Sequence, residues 1–455
     1  MRFGTDGVRG RAHSELTEAM ASDLGRAIAR VFFGTPVVIG GDSRESTPAF
    51  ITAVSQGLIN GGAEVESLGI VPTPIVAAES SRRNAVGVVI SASHNPFFDN
   101  GIKVFGPGGV KLSTETEAQI EAEWNRQDAS DEVAKPSGNL TTGEMADVQV
   151  RYLERITSAI EQRSLQGIRV VIDAANGAAS ELAGEVFASV GADVIVIHAD
   201  PNGTNINEGC GATHTQSLQE AVLAYGADVG LALDGDADRL IAVDHLGSLV
   251  DGDRVIAILA SDMRLRGMLT GNTVVVTVMA NLGFRRAMNT AGIEVVETPV
   301  GDRHVLEALI EGGFSLGGEQ SGHIIIPTHA TTGDGMLTGV VLLDAVVRSG
   351  QSLAELSSAS MDSYPQVLIN VSVPVRGEVP DEAIREVRQE LEAELGEDGR
   401  ILIRPSGTEP LVRVMVEAAL HANAERIATT LADACLLYTS PSPRDYAASR
   451  MPSSA

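Results

Sequence analysis

The sequence predicts an α/β protein of several domains, and three observations carry that prediction. The chain has 455 residues, which is too long for one hydrophobic core. Its hydrophobic content of 44% supports a packed interior, and its 48 glycines suit a fold with many tight turns. A pattern of strand, loop, helix, glycine and strand also occurs three times along the chain. We therefore expect three related α/β domains and a further module of another kind.

The three repeats each begin with an apolar, strand-like run and end on a glycine that leads into a second strand. They cover about residues 37–65, 169–194 and 273–295. Such units place parallel strands side by side, with helices packed on the sheet. Coincidence is the alternative, because strand–helix–strand units are common. The shared Gly-x-acidic-Val endings favour a triplication.

The region from about residue 365 to 434 predicts an α+β module. Its pattern indicates a half-buried strand at 367–373, an amphipathic charged helix at 381–395, and strands at 400–404 and 411–416. The expected domains are thus 1–145, 146–248, 249–361 and 362–435. From Leu436 to Ala455 the chain is rich in Ser, Pro and Arg and has no helical or strand period. We interpret this tail as a non-native, vector-like junction, with a natural disordered tail as the alternative.

The bulk charge and the cysteines exclude several classes of function. The net charge is −27 and the basic residues form no stripe, which argues against nucleic-acid binding. Cys210 and Cys435 make neither a disulfide framework nor a zinc set. The chain opens without a signal-peptide core, and no apolar run is long enough to span a bilayer. We therefore expect a cytoplasmic protein.

Ser93 follows a predicted buried strand at 85–90, at the strand end where α/β proteins place ligands. We judge Ser93 and His94 a poor hydrolase dyad, because neighbouring side chains usually point apart. The chain also has no Gly-x-Ser-x-Gly elbow. A capping serine in a turn is the alternative. Lys103, one of three lysines in the chain, falls just after this turn, although a scarcity of lysine would also allow a chance position.

Asp234, Asp236 and Asp238 alternate in a loop between two strand-like segments. Carboxylates this close repel one another unless a cation or protons intervene. The loop is not an EF-hand, because its sixth and twelfth positions hold Arg239 and His245. Three carboxylates with open sites suit Mg²⁺, which shares its oxygen ligands with phosphates, whereas the alternative is a solvated acidic turn. A serine that carries phosphate would need such a cation, so the two motifs together predict phosphoryl transfer through a phosphoserine.

Three further loops carry groups suited to phosphates or sugars. Residues 3–10 form a glycine-rich loop with Arg9, whose guanidinium and backbone amides suit a phosphate, or else an ordinary turn. Residues 317–323 concentrate groups of the kind that bind sugar hydroxyls, although Glu319 and His323 could be satisfied core residues. Residues 404–410, with Arg413 on the next strand, offer guanidinium, hydroxyl and amide groups to an anion, or else form a hairpin turn.

Taken together and in this order, the motifs resemble the α-D-phosphohexomutase family from Met1 to about Ala434. The resemblance implies an α/β fold with four domains around a central cleft, three of them related, which agrees with the repeats above. It implies one Mg²⁺ per chain, a hexosamine phosphate substrate and a glucosamine 1,6-bisphosphate intermediate or activator. No nucleic acid or membrane is expected as a partner, and a homodimer is compatible with the family.

The resemblance assigns roles to individual residues. Ser93 would be the phosphoserine and would hold Mg²⁺ together with Asp234, Asp236 and Asp238. The other catalytic candidates are Lys103 and His323 as acid and base, Arg239 near the transferred phosphate, and Arg9 beside the phosphoserine. The substrate-binding candidates are Glu319 and Ser321 for sugar hydroxyls, and Arg404, Ser406, Gly407 and Thr408 for the non-reacting phosphate, with Arg413 beside them.

The implied reaction is the reversible conversion of glucosamine 6-phosphate to glucosamine 1-phosphate, an isomerase reaction that supplies amino-sugar precursors of the cell wall. The phosphoserine gives its phosphate to the free hydroxyl and then takes back the other phosphate. Residues 3–7, 319–321 and 331–335 resemble the glucosamine branch, but no physical argument from them selects an amine over a hydroxyl at C2. Glucose or mannose phosphates are alternative substrates, and a sugar-phosphate phosphatase or a non-catalytic binder is an alternative function.

Overall fold

The computed structural model describes residues 3–4, 6–126, 139–373, 381–405 and 410–439. The chain forms two compact units, one of residues 1–280 with 287–361 and the other of residues 281–286 with 362–455. Among the described residues, no helix combines the length and the apolar character that a membrane span needs. Cys210 and Cys435 are both buried.

The first unit opens with a mixed sheet that carries Ser93. Its elements are Val8–Arg11 (β1), Glu18–Val31 (α1), Val37–Gly41 (β2), Thr47–Asn60 (α2), Val65–Ile70 (β3), Thr73–Arg83 (α3), Val86–Ile90 (β4), Asp99–Gly106 (β5), Val110–Lys111 (β6), Thr114–Trp124 (α4), Leu140–Thr142 (β7) and Met145–Ala159 (α5). The strand order is β1-β5-β4-β2-β3-β7, with β6 beside β5. Strands β4, β2, β3 and β7 run parallel, and β5 is antiparallel to its neighbours. Every residue of the central strands β2 and β4 is buried, as expected for strands covered on both faces.

A second mixed sheet carries the acidic loop. Its elements are Arg169–Asp173 (β8), Ala183–Ser189 (α6), Asp193–Ile197 (β9), Gln216–Tyr225 (α7), Val229–Leu233 (β10), Leu240–Asp244 (β11) and Leu249–Val250 (β12). The order is β12-β11-β10-β8-β9, with β8, β9 and β10 parallel and β11 and β12 antiparallel. Both strands that flank the acidic loop are fully buried, so the loop is held at two fixed ends.

The third sheet carries the loop that holds Glu319. Its surroundings comprise Gly252–Leu265 (α8), Thr273–Thr277 (β13), Leu282–Thr290 (α9), Glu294–Thr298 (β14), Asp302–Gly312 (α10), Gly317–Gly318 (β15), Ile324–Ile325 (β16), Gly335–Ser349 (α11) and Leu353–Ser360 (α12). The strand order is β14-β13-β15-β16. The parallel pairs β2–β3, β8–β9 and β13–β14 are the three repeats predicted from the sequence.

The second unit contains the predicted α+β module. Its elements are Gln366–Ser372 (β17), Asp381–Leu395 (α13), Gly399–Pro405 (β18), Leu411–Ala418 (β19) and His421–Thr439 (α14). The antiparallel order is β17-β19-β18, and Ile384, Val414 and Ile427 lie in its core. The sequence shows no helical period from Leu436 onward, but α14 continues to Thr439. An established helix gains one hydrogen bond for each residue added, and nothing in residues 436–439 interrupts it. Residues 440–455 of the predicted tail lie outside the described part of the chain.

Candidate active site

Ser93 lies just beyond the end of β4, where the neighbouring strand β2 also ends. The residue is 1% exposed and has a left-handed φ of 54°. Its Oγ donates to Asp234 Oδ2 at 2.6 Å. The structure therefore joins the two motifs that the sequence singled out, although 141 residues separate them along the chain.

The relation between Ser93 and His94 differs from the expectation. We predicted that the two side chains point apart, but Ser93 Oγ and His94 Nδ1 are 3.3 Å apart. The left-handed conformation of Ser93 turns the chain and brings its neighbour back toward the hydroxyl. Burial, together with the guanidinium groups of Arg239 and Arg9, lowers the pKa of His94 to about 4, although nearby aspartates act in the opposite direction. His94 is therefore a neutral imidazole beside the hydroxyl at neutral pH.

Asp234, Asp236 and Asp238 form a buried carboxylate cluster. One oxygen of each lies within 4.8 Å of the others. Burial and the charges of Asp238 and Asp236 raise the pKa of Asp234 well above its ordinary value, which reports their mutual repulsion. Asp236 Oδ1 and Asp238 Oδ1 are buried and have no hydrogen-bond partner among the described residues. Buried carboxylate oxygens without hydrogen-bond partners are suitable ligands for a hard divalent cation such as Mg²⁺.

Lys103, on β5, is the cation that faces this cluster. Its Nζ lies 2.7 Å from Asp236 Oδ2, 3.0 Å from Asp238 Oδ2 and 3.0 Å from Asp6 Oδ2. Burial alone would lower the pKa of Lys103, but the three carboxylates raise it well above its ordinary value. The lysine is therefore a buried ammonium group.

The three other catalytic candidates surround the same cluster. His323 Nδ1 is 3.7 Å from Asp238 Oδ2, and its Nε2 accepts from the amide of Gly333 at 3.0 Å. Arg239 Nε lies 3.8 Å from Asp238 Oδ1. Arg9 donates to the carbonyl of Ala92 at 3.4 Å, one residue before Ser93. The structure thus brings all catalytic and metal-binding candidates of the sequence to one place.

Glu319 and Ser321 lie in the short hairpin between β15 and β16. Glu319 Oε1 accepts from the amide of Gly301 at 3.2 Å, and Ser321 Oγ donates to Glu319 Oε2 at 3.4 Å. The carbonyl of Gly322, in the same hairpin, accepts from the amide of Leu240 at 3.0 Å. Because Leu240 begins the strand after the acidic loop, this bond attaches the hairpin to the carboxylate cluster.

The phosphate-binding candidates belong to the second unit. Ser406, Gly407 and Thr408 lie outside the described residues. Arg404 on β18 and Arg413 on β19 are opposite partners in the antiparallel ladder, and both are half-buried. Directly opposed residues share one face of a sheet, so the two guanidinium groups start from the same face.

Sequence reasoning missed several groups of the site. Thr73, at the start of α3, donates through Oγ1 to Asp236 Oδ2 at 2.5 Å, a contact across 163 residues that no local signal reveals. Asp6 binds Lys103 and Arg9, although the sequence analysis named only Arg9 in that loop. Asp42 and Arg44 follow β2, and the rule that ligands lie beyond the ends of parallel strands could have drawn attention to them.

Comparison with known proteins covers nearly all of this chain. Four family descriptions match it in order: phosphoglucomutase/phosphomannomutase alpha/beta/alpha domain I at residues 1–131, domain II at 150–247, domain III at 251–364, and the C-terminal domain at 368–434. A phosphoglucosamine mutase of Clavibacter michiganensis is 50% identical over 439 residues, which are 94% of this chain and 97% of the relative. A phosphoglucosamine mutase of Mycolicibacterium gilvum is 48% identical and covers 95% of this chain and 98% of the relative.

Solved structures share the fold. A phosphoglucomutase/phosphomannomutase family protein of Burkholderia thailandensis superposes with a TM-score of 0.79 at 26% identity, over 97% of this chain and 98% of that one. The N-acetylphosphoglucosamine mutase of Aspergillus fumigatus, solved with GlcNAc-6P and magnesium, has a TM-score of 0.72 at 19% identity, over 97% and 96% of the two chains. With all four domain families present in order and relatives about half identical over nearly the whole length, the chain belongs to the phosphoglucomutase/phosphomannomutase family.

Proposed function

We propose that this chain is a phosphoglucosamine mutase, which interconverts glucosamine 6-phosphate and glucosamine 1-phosphate through a phosphorylated Ser93 and a glucosamine 1,6-bisphosphate intermediate. One observation carries the proposal. A buried serine hydroxyl donates to Asp234 in a cluster of three carboxylates, two of which have oxygens without a hydrogen-bond partner in the described part of the chain. The two relatives described above are both named phosphoglucosamine mutase.

The proposed reaction has two transfers with the same groups. Phosphorylated Ser93 gives its phosphoryl group to the free hydroxyl of the sugar phosphate, and the hydroxyl proton passes to a base while the serine oxygen recovers a proton. Ser93 then attacks the other phosphate of the bisphosphate, and the released sugar oxygen takes up the proton. Phosphoryl transfer depends mainly on positioning and charge neutralisation, so a rigid, highly charged site suits it.

The proposed roles follow from the position of each group. Asp234, Asp236 and Asp238, with the Ser93 side chain, would hold one Mg²⁺. When bound, Mg²⁺ neutralises negative charge on the transferring phosphate. Lys103 and His323 both lie close to Asp238 Oδ2 and are the proposed acid and base. Arg239 and Arg9 supply positive charge next to Ser93.

Recognition of the sugar is assigned to two loops. Glu319 and Ser321 are proposed to bind the sugar hydroxyls, because both polar side chains are held in one hairpin. Arg404 and Arg413, with Ser406, Gly407 and Thr408, are proposed to hold the phosphate that does not react. Four domains with boundaries near 145, 249 and 362, a cytoplasmic location and a homodimer complete the proposal.

A coupled assay for glucosamine 1-phosphate tests it. Full-length protein receives glucosamine 6-phosphate, Mg²⁺ and a trace of bisphosphate, and parallel reactions contain glucose and mannose 6-phosphates. We expect the glucosamine compound to give the highest kcat/KM. Ser93→Ala should abolish turnover without unfolding the protein, whereas Ser189→Ala, which removes only a bond to a helix carbonyl, should keep it. Continuous release of inorganic phosphate, or full activity of Ser93→Ala, would contradict the proposal.

A further inference from the structure

Arg44 is a buried charge next to residues 91–99, which we call the serine loop, and all of its N–H groups have hydrogen-bond acceptors. Its side chain is inaccessible to solvent, and its five N–H groups have five acceptors. Nε donates to Asp42 Oδ2 at 2.9 Å, and the two terminal nitrogens donate to four carbonyls of the serine loop. These carbonyls belong to Ser93 at 2.8 Å, Asn95 at 2.8 Å, Pro96, and Asp99 at 3.1 Å.

Asp42 connects the same guanidinium to the amide side of Ser93. Asp42 Oδ2 accepts from Ser91 Oγ at 2.6 Å, and Ser91 Oγ in turn accepts from the amide of Ser93 at 2.8 Å. The C=O of Ser93 is therefore bound directly to Arg44, and its N–H is linked to Asp42 through Ser91 Oγ. A non-glycine residue is strained at a positive φ, so the surroundings must hold Ser93 in this conformation.

A second group acts on the same loop from the second sheet. Asn207 Nδ2 donates to the carbonyl of Ser93 at 2.9 Å and to that of Asn95 at 3.1 Å. Asn207 is 7% exposed, and its own φ is 59°. The loop is thus held from β2 by Arg44 and from the acidic-loop side by Asn207.

We propose that Arg44 is the positioning residue of the reaction, and that it acts with Asn207 to hold Ser93 in its left-handed conformation with Oγ directed at Asp234. The inference rests on the proposed role of Ser93 as the phosphorylated nucleophile. Arg44 itself touches no reacting atom. Its contribution is to keep the hydroxyl in place while the phosphoryl group moves onto and off it.

The geometry requires arginine in particular. A lysine has three N–H donors on one nitrogen, so Arg44→Lys keeps the charge but removes at least two of the five hydrogen bonds that residue 44 donates. A misplacement of about 1 Å at a reacting group costs on the order of 100-fold in rate. We expect Arg44→Lys to lower kcat by roughly 30- to 100-fold and to leave KM for the sugar phosphate within about threefold. We expect kcat to change more than KM because the groups proposed to bind the sugar lie elsewhere.

The experiment compares Arg44→Lys with Arg348→Lys. Arg348 also donates to a buried carboxylate, Asp344, but lies away from the serine loop. Both variants are assayed for kcat, KM, melting temperature and the fraction of Ser93 phosphorylated after treatment with bisphosphate. We expect Arg348→Lys to keep the wild-type kcat. If Arg44→Lys lowers only the melting temperature and its kcat per folded molecule equals that of Arg348→Lys, the inference is overturned.

Two further measurements separate a positioning role from a merely structural one. In Arg44→Ala, added guanidinium at non-denaturing concentration should restore part of kcat, whereas ethylammonium and sodium should not. In Arg44→Ala measured without substrate, amide hydrogen exchange should be faster than in the wild type in the peptide that spans Ser93, and it should remain unchanged in α11. Failure of guanidinium rescue together with unchanged exchange would also overturn the inference.

The design distinguishes this inference from the proposed function. An inactive wild-type protein would count against the mutase reaction, and the hydrogen-exchange result would still report whether Arg44 orders the loop. If Arg44→Ala does not fold, Asn207→Asp takes its place, because it removes the other side-chain donor to the Ser93 carbonyl with almost no change in size. We expect Asn207→Asp to lower kcat as well, and an unchanged kcat would contradict the shared role.

Discussion

Gly235→Ala should slow the reaction without removing a single catalytic group. Gly235 lies between Asp234 and Asp236, and a Cβ built on it would be 2.7 Å from the carbonyl oxygen of Ser93 and 2.9 Å from Asn207 Nδ2. Ordinary contacts begin at 3.4 Å, so the serine loop and the acidic loop must separate by about 0.7 Å. Because a displacement of about 1 Å costs on the order of 100-fold, we expect kcat to fall by roughly 30-fold.

The assay is the coupled formation of glucosamine 1-phosphate, measured together with Mg²⁺ binding by calorimetry. All three carboxylates remain in Gly235→Ala, so Mg²⁺ affinity should change much less than kcat. Gly184→Ala is the matched control, because its Cβ would meet only the Val196 side chain, at 3.2 Å, and lies within helix α6. A kcat for Gly235→Ala equal to that of Gly184→Ala would refute the reasoning that the two loops must keep their present separation.

Three other predictions concern the charges of the first unit. Asp236→Asn should weaken Mg²⁺ binding by at least about tenfold in a calorimetric titration, and an unchanged titration would exclude it as a ligand. Lys103→Met should lower the free energy of unfolding by about 3 kcal/mol in Mg²⁺-free buffer, because it removes the ammonium group that the buried carboxylates of Asp236 and Asp238 share. Added Mg²⁺ should recover part of the loss, and equal denaturation curves for variant and wild type would contradict this. Burial alone would raise the pKa of Glu79, but Arg82, Arg151 and Arg83 lower it from 4.5 to about 2. The stabilisation that the Glu79 carboxylate provides is therefore present above pH 4.5 and is lost as the pH falls toward 2. Glu79→Gln should lower the melting temperature at neutral pH and have less effect at about pH 3, and a pH-independent effect would count against the argument.

Much of the fold could be predicted because local patterns carry it. The three strand–helix–strand repeats and the strands of the last module follow from hydrophobic period and glycine position, and all of them occur in the structure. The composition from Leu436 onward shows no helical period, but α14 continues to Thr439. Helix ends depend on the balance of a few hydrogen bonds, which composition resolves poorly.

Some residues of the candidate site could be identified from the sequence, and others could not. Ser93, the three aspartates and Lys103 were identified because their residue types and spacing already imply phosphate and metal chemistry. His94 was misjudged, because the rule that neighbours point apart fails where the backbone adopts a left-handed conformation. That conformation is imposed by Arg44 and Asn207, which belong to other strands and loops.

The fold class, the family and the chemical types of the reacting groups follow from the order of residues along the chain, because they depend on local patterns. Which of these groups meet depends on the folded structure. Ser93 Oγ reaches Asp234, Lys103 reaches Asp6 and Asp236, and Thr73 reaches Asp236. The physical reason is that the contacts to Asp234 and Asp236 arise where separate sheets pack together, and the contact between Lys103 and Asp6 arises where distant segments meet at one sheet. Their distances are set by the pairing and packing of whole elements, which no local spacing of residues specifies.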